Sequence, residues 1–258
     1  MLIAQEYVQG SVDKIPWKLL LSRKEVWAII LSHFCHNWGV FILLTWMPSY
    51  YASVLGFDLA SAGLAAVYPW LCMAVMANVG GWIADTMVSS GVSRTVVRKV
   101  MQTIGFLGPA FFLTQLQHVT SPMMAILCMC ACQGFDAFSQ SGLYSNHQVR
   151  PDTLRLISCN LAPKISIFNF CRAVHCLRQD VGRLSMSAVL QDIGPKYAGV
   201  LLGMSNTAGV LAGVISTAAT GYILAIGTWN DVWNVAIFFY LLGTLIWNLL
   251  ATGEQVFE

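Results

Sequence analysis

A chain of 258 residues with 57% hydrophobic and only 10% charged side chains cannot hide its apolar surface in one water-soluble core, since soluble domains carry roughly 25% charged residues. At a mean hydropathy of +0.64 it reads as an all-α integral membrane protein. The net charge of +2 says little beside where the charges lie, and no nucleic-acid partner is expected.

Residues 1–25 form a polar segment with Lys14, Lys18, Arg23 and Lys24 ahead of the first apolar run. Its opening, MLIAQEYVQGSVDKIPWK, lacks the layout of a signal peptide and the Arg/Ser-rich character of a transit peptide. Val26–Met47 then offers about 20 apolar residues, enough to cross a bilayer as one helix. PSYYASVLGFD reads as a short connection, with Tyr50 and Tyr51 suited to an interfacial belt. Further spans are expected over residues 60–84, 100–116, 123–144, 197–226 and 232–250. The first four fall within 26–148 and the last two within 192–258, and short loops should make consecutive spans antiparallel neighbours.

Lys and Arg concentrate in the N-terminal segment, in the loop that carries Arg94, Arg98 and Lys99, and between spans four and five. That alternation satisfies the positive-inside rule for six spans and places the N-terminus on the cytosolic or stromal side. Span five is rich in glycine: Gly199 with Gly203, and Gly209 with Gly213, are two small-xxx-small pairs that admit a neighbouring backbone.

Residues Val149–Gln191 break the pattern. The segment is basic, has no sustained period and no span-length apolar run, and reads as a poorly ordered insertion. It begins with Val, whose codons start GT, and ends with Gln, one of whose codons is CAG. A translated intron of about 40 residues, interrupting SNHQ–DIGPKYAG, accounts for both edges.

Three polar residues stand out in the first span. His33, His36 and Asn37 lie at i, i+3 and i+4 and are expected on one helix face. Imidazole and amide groups at membrane depth mark a solute pathway or a hydrogen-bonded helix interface. Tyr144 and Asn206 are weaker candidates, polar groups within spans. No metal or cofactor is expected: CxCxC over Cys128–Cys132 spreads its thiols around a helix, and Cys171, His175 and Cys176 lack a matching second pair. No nucleophile–base pair or phosphate-cradling loop suggests an enzyme.

The stretches SHFCHNWGVFILLTWMPSYY, GGWIADTMVSS, VRKVMQTIGFLGPAFFLTQL, SQSGLYSNH and LLATGE, with NHQ joined to DIGPKYAGVLLGMSNTAGVLAG, resemble the plant plastid anion (phosphate) transporters. These belong to the anion:cation symporters, with the vesicular glutamate transporters and sialin, inside the major facilitator superfamily. The resemblance covers nearly all of the chain outside 149–191 and roughly the first dozen residues, and it implies the second half of a twelve-helix carrier, helices seven to twelve, preceded by a remnant of the central loop. Substrate in such carriers binds between the halves near the midplane. Gly81, Ile83, Ala84 and Asp85, with Arg94 and Arg98, match the superfamily's gating-loop motif, a charged clasp or a topology signal. His36 in FCHNW falls where the vesicular glutamate transporters carry the arginine of FCRSW, which implies an anion-facing, pH-sensitive position. Asp136, with Ser139 and Gln140 one turn on, is an ion-coupling candidate.

The resemblance therefore implies Na+- or H+-coupled transport of an anion, inorganic phosphate first and ascorbate or another organic anion next, in the chloroplast inner envelope or thylakoid. The competing expectation is a non-transporting membrane fragment or splice variant that at most associates with a full-length or N-terminal-half transporter.

Overall fold

A computed structural model describes residues 15–141 and 197–252. The insertion 149–191, both of its junctions and Tyr144 lie outside the described residues. Among the described residues eight helices run in chain order: α1 (Trp17–Leu21), α2 (Lys24–Leu55), α3 (Leu59–Ala65), α4 (Val67–Ser89), α5 (Arg94–Leu116), α6 (Pro122–Ser141), α7 (Ala198–Ile226) and α8 (Trp229–Leu250). With α3 and α4 counted as one rod, Leu59–Ser89, six helical units are long and apolar enough to cross a membrane. Helix is the form such runs must take, because lipid offers no partner for an open backbone N–H or C=O. The protein is an integral membrane protein with an all-helical, six-span architecture.

Polar side chains close the helix ends. Asp58 accepts from the amides of Ala60 and Ser61 to start α3, and Ser93 accepts from Val96 N to start α5. Thr228 and Asp231 form a capping box at α8, with Thr228 N donating to Asp231 Oδ2 at 2.8 Å. Gly56 ends α2 at φ 71°, a left-handed conformation that suits a residue without Cβ.

The first span is longer than the hydropathy suggests. α2 has 32 residues and passes through Pro48 to Leu55, so most of PSYYASVL is helix and not a connection. Tyr50 and Tyr51 are consequently buried; Tyr50 meets Trp229 and Trp233 of α8 edge-on, with centroids 5.2 and 5.3 Å apart. Likewise Arg94, Arg98 and Lys99 belong to the opening turns of α5, and only residues 90–93 remain as loop.

The order of packing departs from the order of the chain. α2 packs on α7 and α8, α5 packs on α8 and α6, and α4 packs on α6, so the rods follow the sequence α7–α2–α8–α5–α6–α4. Consecutive spans α4/α5 and α7/α8 touch only lightly, and α5/α6 is the one extensive hairpin among the described connections. Glycines choose the partners. A Cβ at Gly39 would meet the Tyr240 ring of α8, and one at Gly213 would meet Phe41 of α2. One at Gly105 would collide with the Ser139 backbone of α6. Of the two glycine pairs in span five, Gly209/Gly213 seats α2, whereas Gly199 and Gly203 face nothing within 4 Å among the described residues.

Every Lys and Arg among the described residues lies at one end of the assembly, at Lys18, Arg23, Lys24, Arg94, Arg98 and Lys99. Lys99 Nζ donates to Asn248 O at 2.8 Å, which ties the start of α5 to the end of α8. At the same end, Leu20 and Ile29 cluster with Leu201 and Trp247.

Candidate functional site

His33 and His36 lie nine and twelve residues past Lys24, about 14 and 18 Å along the helix and thus near mid-depth. The two histidines do not share a target. Steps of three and four residues advance by about −60° and +40° around a helix, so His36 and Asn37 diverge by about 100°. His33 and Asn37 turn to α7, and His36 turns to α6.

On the α7 side, His33 Nδ1 lies 2.6 Å from Ser205 Oγ. Asn37 Nδ2 donates back to His33 O at 2.9 Å, and Gly209 leaves room for both side chains. Asn206 is not brought to this contact; it is half-buried, and its neighbour Ser205, fully buried, meets the imidazole instead. Ser205 was missed because a hydroxyl among glycines and alanines gives no signal until the partner helix is known.

On the α6 side, His36 Nε2 lies 3.0 Å from Asp136 Oδ1 and 3.1 Å from Ser139 Oγ. The Oδ1 contact is an ion-pair approach outside hydrogen-bond geometry. Ser139 Oγ in turn donates to the carbonyl of Asp136 at 2.7 Å. The imidazole stacks on Phe106 of α5 with centroids 6.1 Å apart. Gly105 and Gly243 make this junction of four helices close, since Cβ atoms there would strike Ser139 and Phe106. Asp136 is fully buried, while the His36 side chain retains 13% exposure. A lone charge at this depth would be expelled, and an imidazole–carboxylate couple is the arrangement that keeps it.

Gln133, one turn before Asp136, was not singled out by its sequence context. It is completely buried, and neither its amide nitrogen nor its oxygen has a hydrogen-bond partner among the described residues. Gln140 contributes its backbone to α6. The gating-loop residues sit at the basic end: Gly81 is buried in α4, Asp85 and Arg94 are exposed, and Arg98 is buried. No group of three or more metal-ligating side chains occurs among the described residues. Cys35, Cys128 and Cys132 are buried free thiols, and Cys72 and Cys130 are partly buried ones.

The chain is 58% identical over 247 residues to the "Ascorbate transporter, chloroplastic" of Arabidopsis thaliana, covering 96% of this chain and 38% of the relative. It is 58% identical over its whole length to the "Probable anion transporter 1, chloroplastic" of Oryza sativa subsp. japonica, 41% of which is covered. It is 55% identical over 247 residues to the "Sodium-dependent phosphate transport protein 1, chloroplastic" of Arabidopsis thaliana, covering 96% of this chain and 40% of that protein. The chain thus spans about two fifths of the length of the curated relatives it matches. The sequence pattern of the Major Facilitator Superfamily matches residues 4–151, and the chain belongs to that superfamily.

Proposed function

We propose that this chain forms the C-terminal-half portion of a secondary active anion transporter of a plastid membrane, with inorganic phosphate or a small organic anion such as ascorbate as cargo. The observation that carries the reading is the His36–Asp136–Ser139 junction at mid-depth, where a largely buried imidazole meets a buried carboxylate between α2 and α6. The names of the relatives, which mention ascorbate, phosphate and sodium, supply the cargo class and a cation as driving partner. Binding needs a cationic or donor group at the site, and movement needs the helices around it to rock so that the opening changes side. No covalent step is involved.

A second reading rests on the two-fifths coverage: a chain that builds one wall of the pathway and transports only with a partner that supplies the other. Uptake of radiolabelled phosphate and ascorbate by proteoliposomes separates the two. The chain alone is expected to show weak uptake, and co-reconstitution with a longer relative to restore saturable uptake. His36→Ala in the active assembly should weaken anion affinity tenfold or more while the amount of folded protein changes little. Unchanged affinity at every pH would return His36 to a packing role.

A further inference from the structure

The described Lys and Arg residues divide into two groups. On α5, Lys99 donates to Asn248 O, and Arg94 and Arg98 each engage a neighbour. Around α1 the side chains of Lys18, Arg23 and Lys24 are exposed and make no ion pair or hydrogen bond among the described residues. Glu25, half-buried in the first turn of α2, pairs with none of them. The apolar side chains set among these cations are open as well: Trp17 is 49% exposed, Leu19 43%, Leu21 41% and Trp27 42%.

α1 is held in place although its outer surface is open. Leu20 is completely buried in a cluster with Val26, Ile29, Leu201 and Trp247. Ser22 closes α1, and Arg23 is extended at φ −91° and ψ 126°, so α1 breaks from the axis of α2. The Trp27 indole N–H donates to Leu21 O at 2.9 Å, which satisfies a carbonyl at the end of α1 and occupies the one polar hydrogen of that ring. Trp17 and Leu21, four residues apart, lie on one face of α1. With His33 and His36 near mid-depth, the break between α1 and α2 stands about 15 Å from the midplane, where acyl chains give way to headgroups.

We infer that α1 and the first turn of α2 form a docking surface for an anionic phospholipid, with Lys18, Arg23 and Lys24 toward the headgroup phosphate and Trp17, Leu21 and Trp27 toward the acyl chains. Three cations with no carboxylate partner among the described residues select a headgroup of net negative charge over a zwitterionic one. The apolar surround selects a lipid over a soluble anion, because indole and leucine side chains at this level gain cover from hydrocarbon and none from a hydrated ion. A lipid held there fastens α1 to the start of α2 and, through Leu20, to Leu201 of α7 and Trp247 of α8. The assignment does not depend on the cargo or on the anion-carrier reading.

The test titrates the full chain, purified in a neutral detergent, with phosphatidylglycerol and with phosphatidylcholine, and native mass spectrometry reads the first bound lipid. Phosphatidylglycerol is expected to bind at least about tenfold more tightly, and the preference to fall by up to about fivefold for each cation removed. Lys18→Gln/Arg23→Gln/Lys24→Gln should bring the preference below about twofold, whereas Lys18→Arg should keep it. Trp17→Ala/Leu21→Ala leaves the charges in place and should weaken both lipids alike. A salt series on the native chain covers a variant that fails to fold: about 0.5 M sodium chloride should remove most of the preference. An undiminished preference in the folded triple variant, or in the native chain at high salt, overturns the assignment. So does displacement of phosphatidylglycerol by inorganic phosphate but not by chloride at equal ionic strength, which would make the three cations a reception point for a soluble anion.

Discussion

Two imidazoles one helical turn apart do different work because a helix turns between them. His33 is a fastening: its ring meets Ser205 across the α2/α7 contact, and Asn37 and Gly209 fill the space around it. Ser205→Ala should destabilise the folded chain by about 0.6–2 kcal/mol, the span measured for polar contacts between membrane helices. Reversible denaturation in mixed micelles checks this, and a loss below about 0.3 kcal/mol would make the contact incidental. Their depth in an apolar run was legible in the sequence. Which way each one pointed was not, since spacing gives angles around one helix but not the identity of the neighbours. Ser205 and Gln133 illustrate the gap: each is ordinary in sequence and completely buried in the fold.

At the scale of a helix, hydropathy located the spans and missed their ends. α2 crosses Pro48 without stopping; one missing amide is tolerable when neighbouring helices pack against that turn. α3 depends on its cap. The Ser61 hydroxyl and the amides of Ser61 and Ala60 hold the exposed Asp58 carboxyl below its ordinary value of 3.8. A carboxylate favoured in the folded state adds stability above its unfolded pKa and loses it as pH falls through the folded one. The cap should therefore hold at neutral pH and fail below about pH 4. Hydrogen exchange at the Ala60 and Ser61 amides should quicken in acid, and Asp58→Ala should show the fast rate at every pH. Equal rates in the two proteins at neutral pH would mean that the cap does not anchor α3.

For the molecule as a whole, charge placement foretold which helix ends lie together better than loop length foretold packing. All described Lys and Arg residues gather at one end, as the positive-inside pattern requires. The order α7–α2–α8–α5–α6–α4 could not be read from short loops, because in lipid apolar residues drive no particular pairing and small residues decide it. Cysteines placed at Ser90 and Leu59, both exposed, should react with a membrane-impermeant maleimide from opposite faces of a sealed vesicle, in a background without native cysteines. Labelling of both from one face would refute the six-span path.

α2 grips α7 through His33 and α6 through His36, about a sixth of a turn away. A rotation of this rod about its own axis cannot draw both grips tighter. Advancing His33 toward Ser205 swings His36 off the Asp136 couple, and the reverse swing loosens the His33–Ser205 contact. The helix behaves as a seesaw, so a push applied at the glycine seat is felt, with opposite sign, at the buried acid.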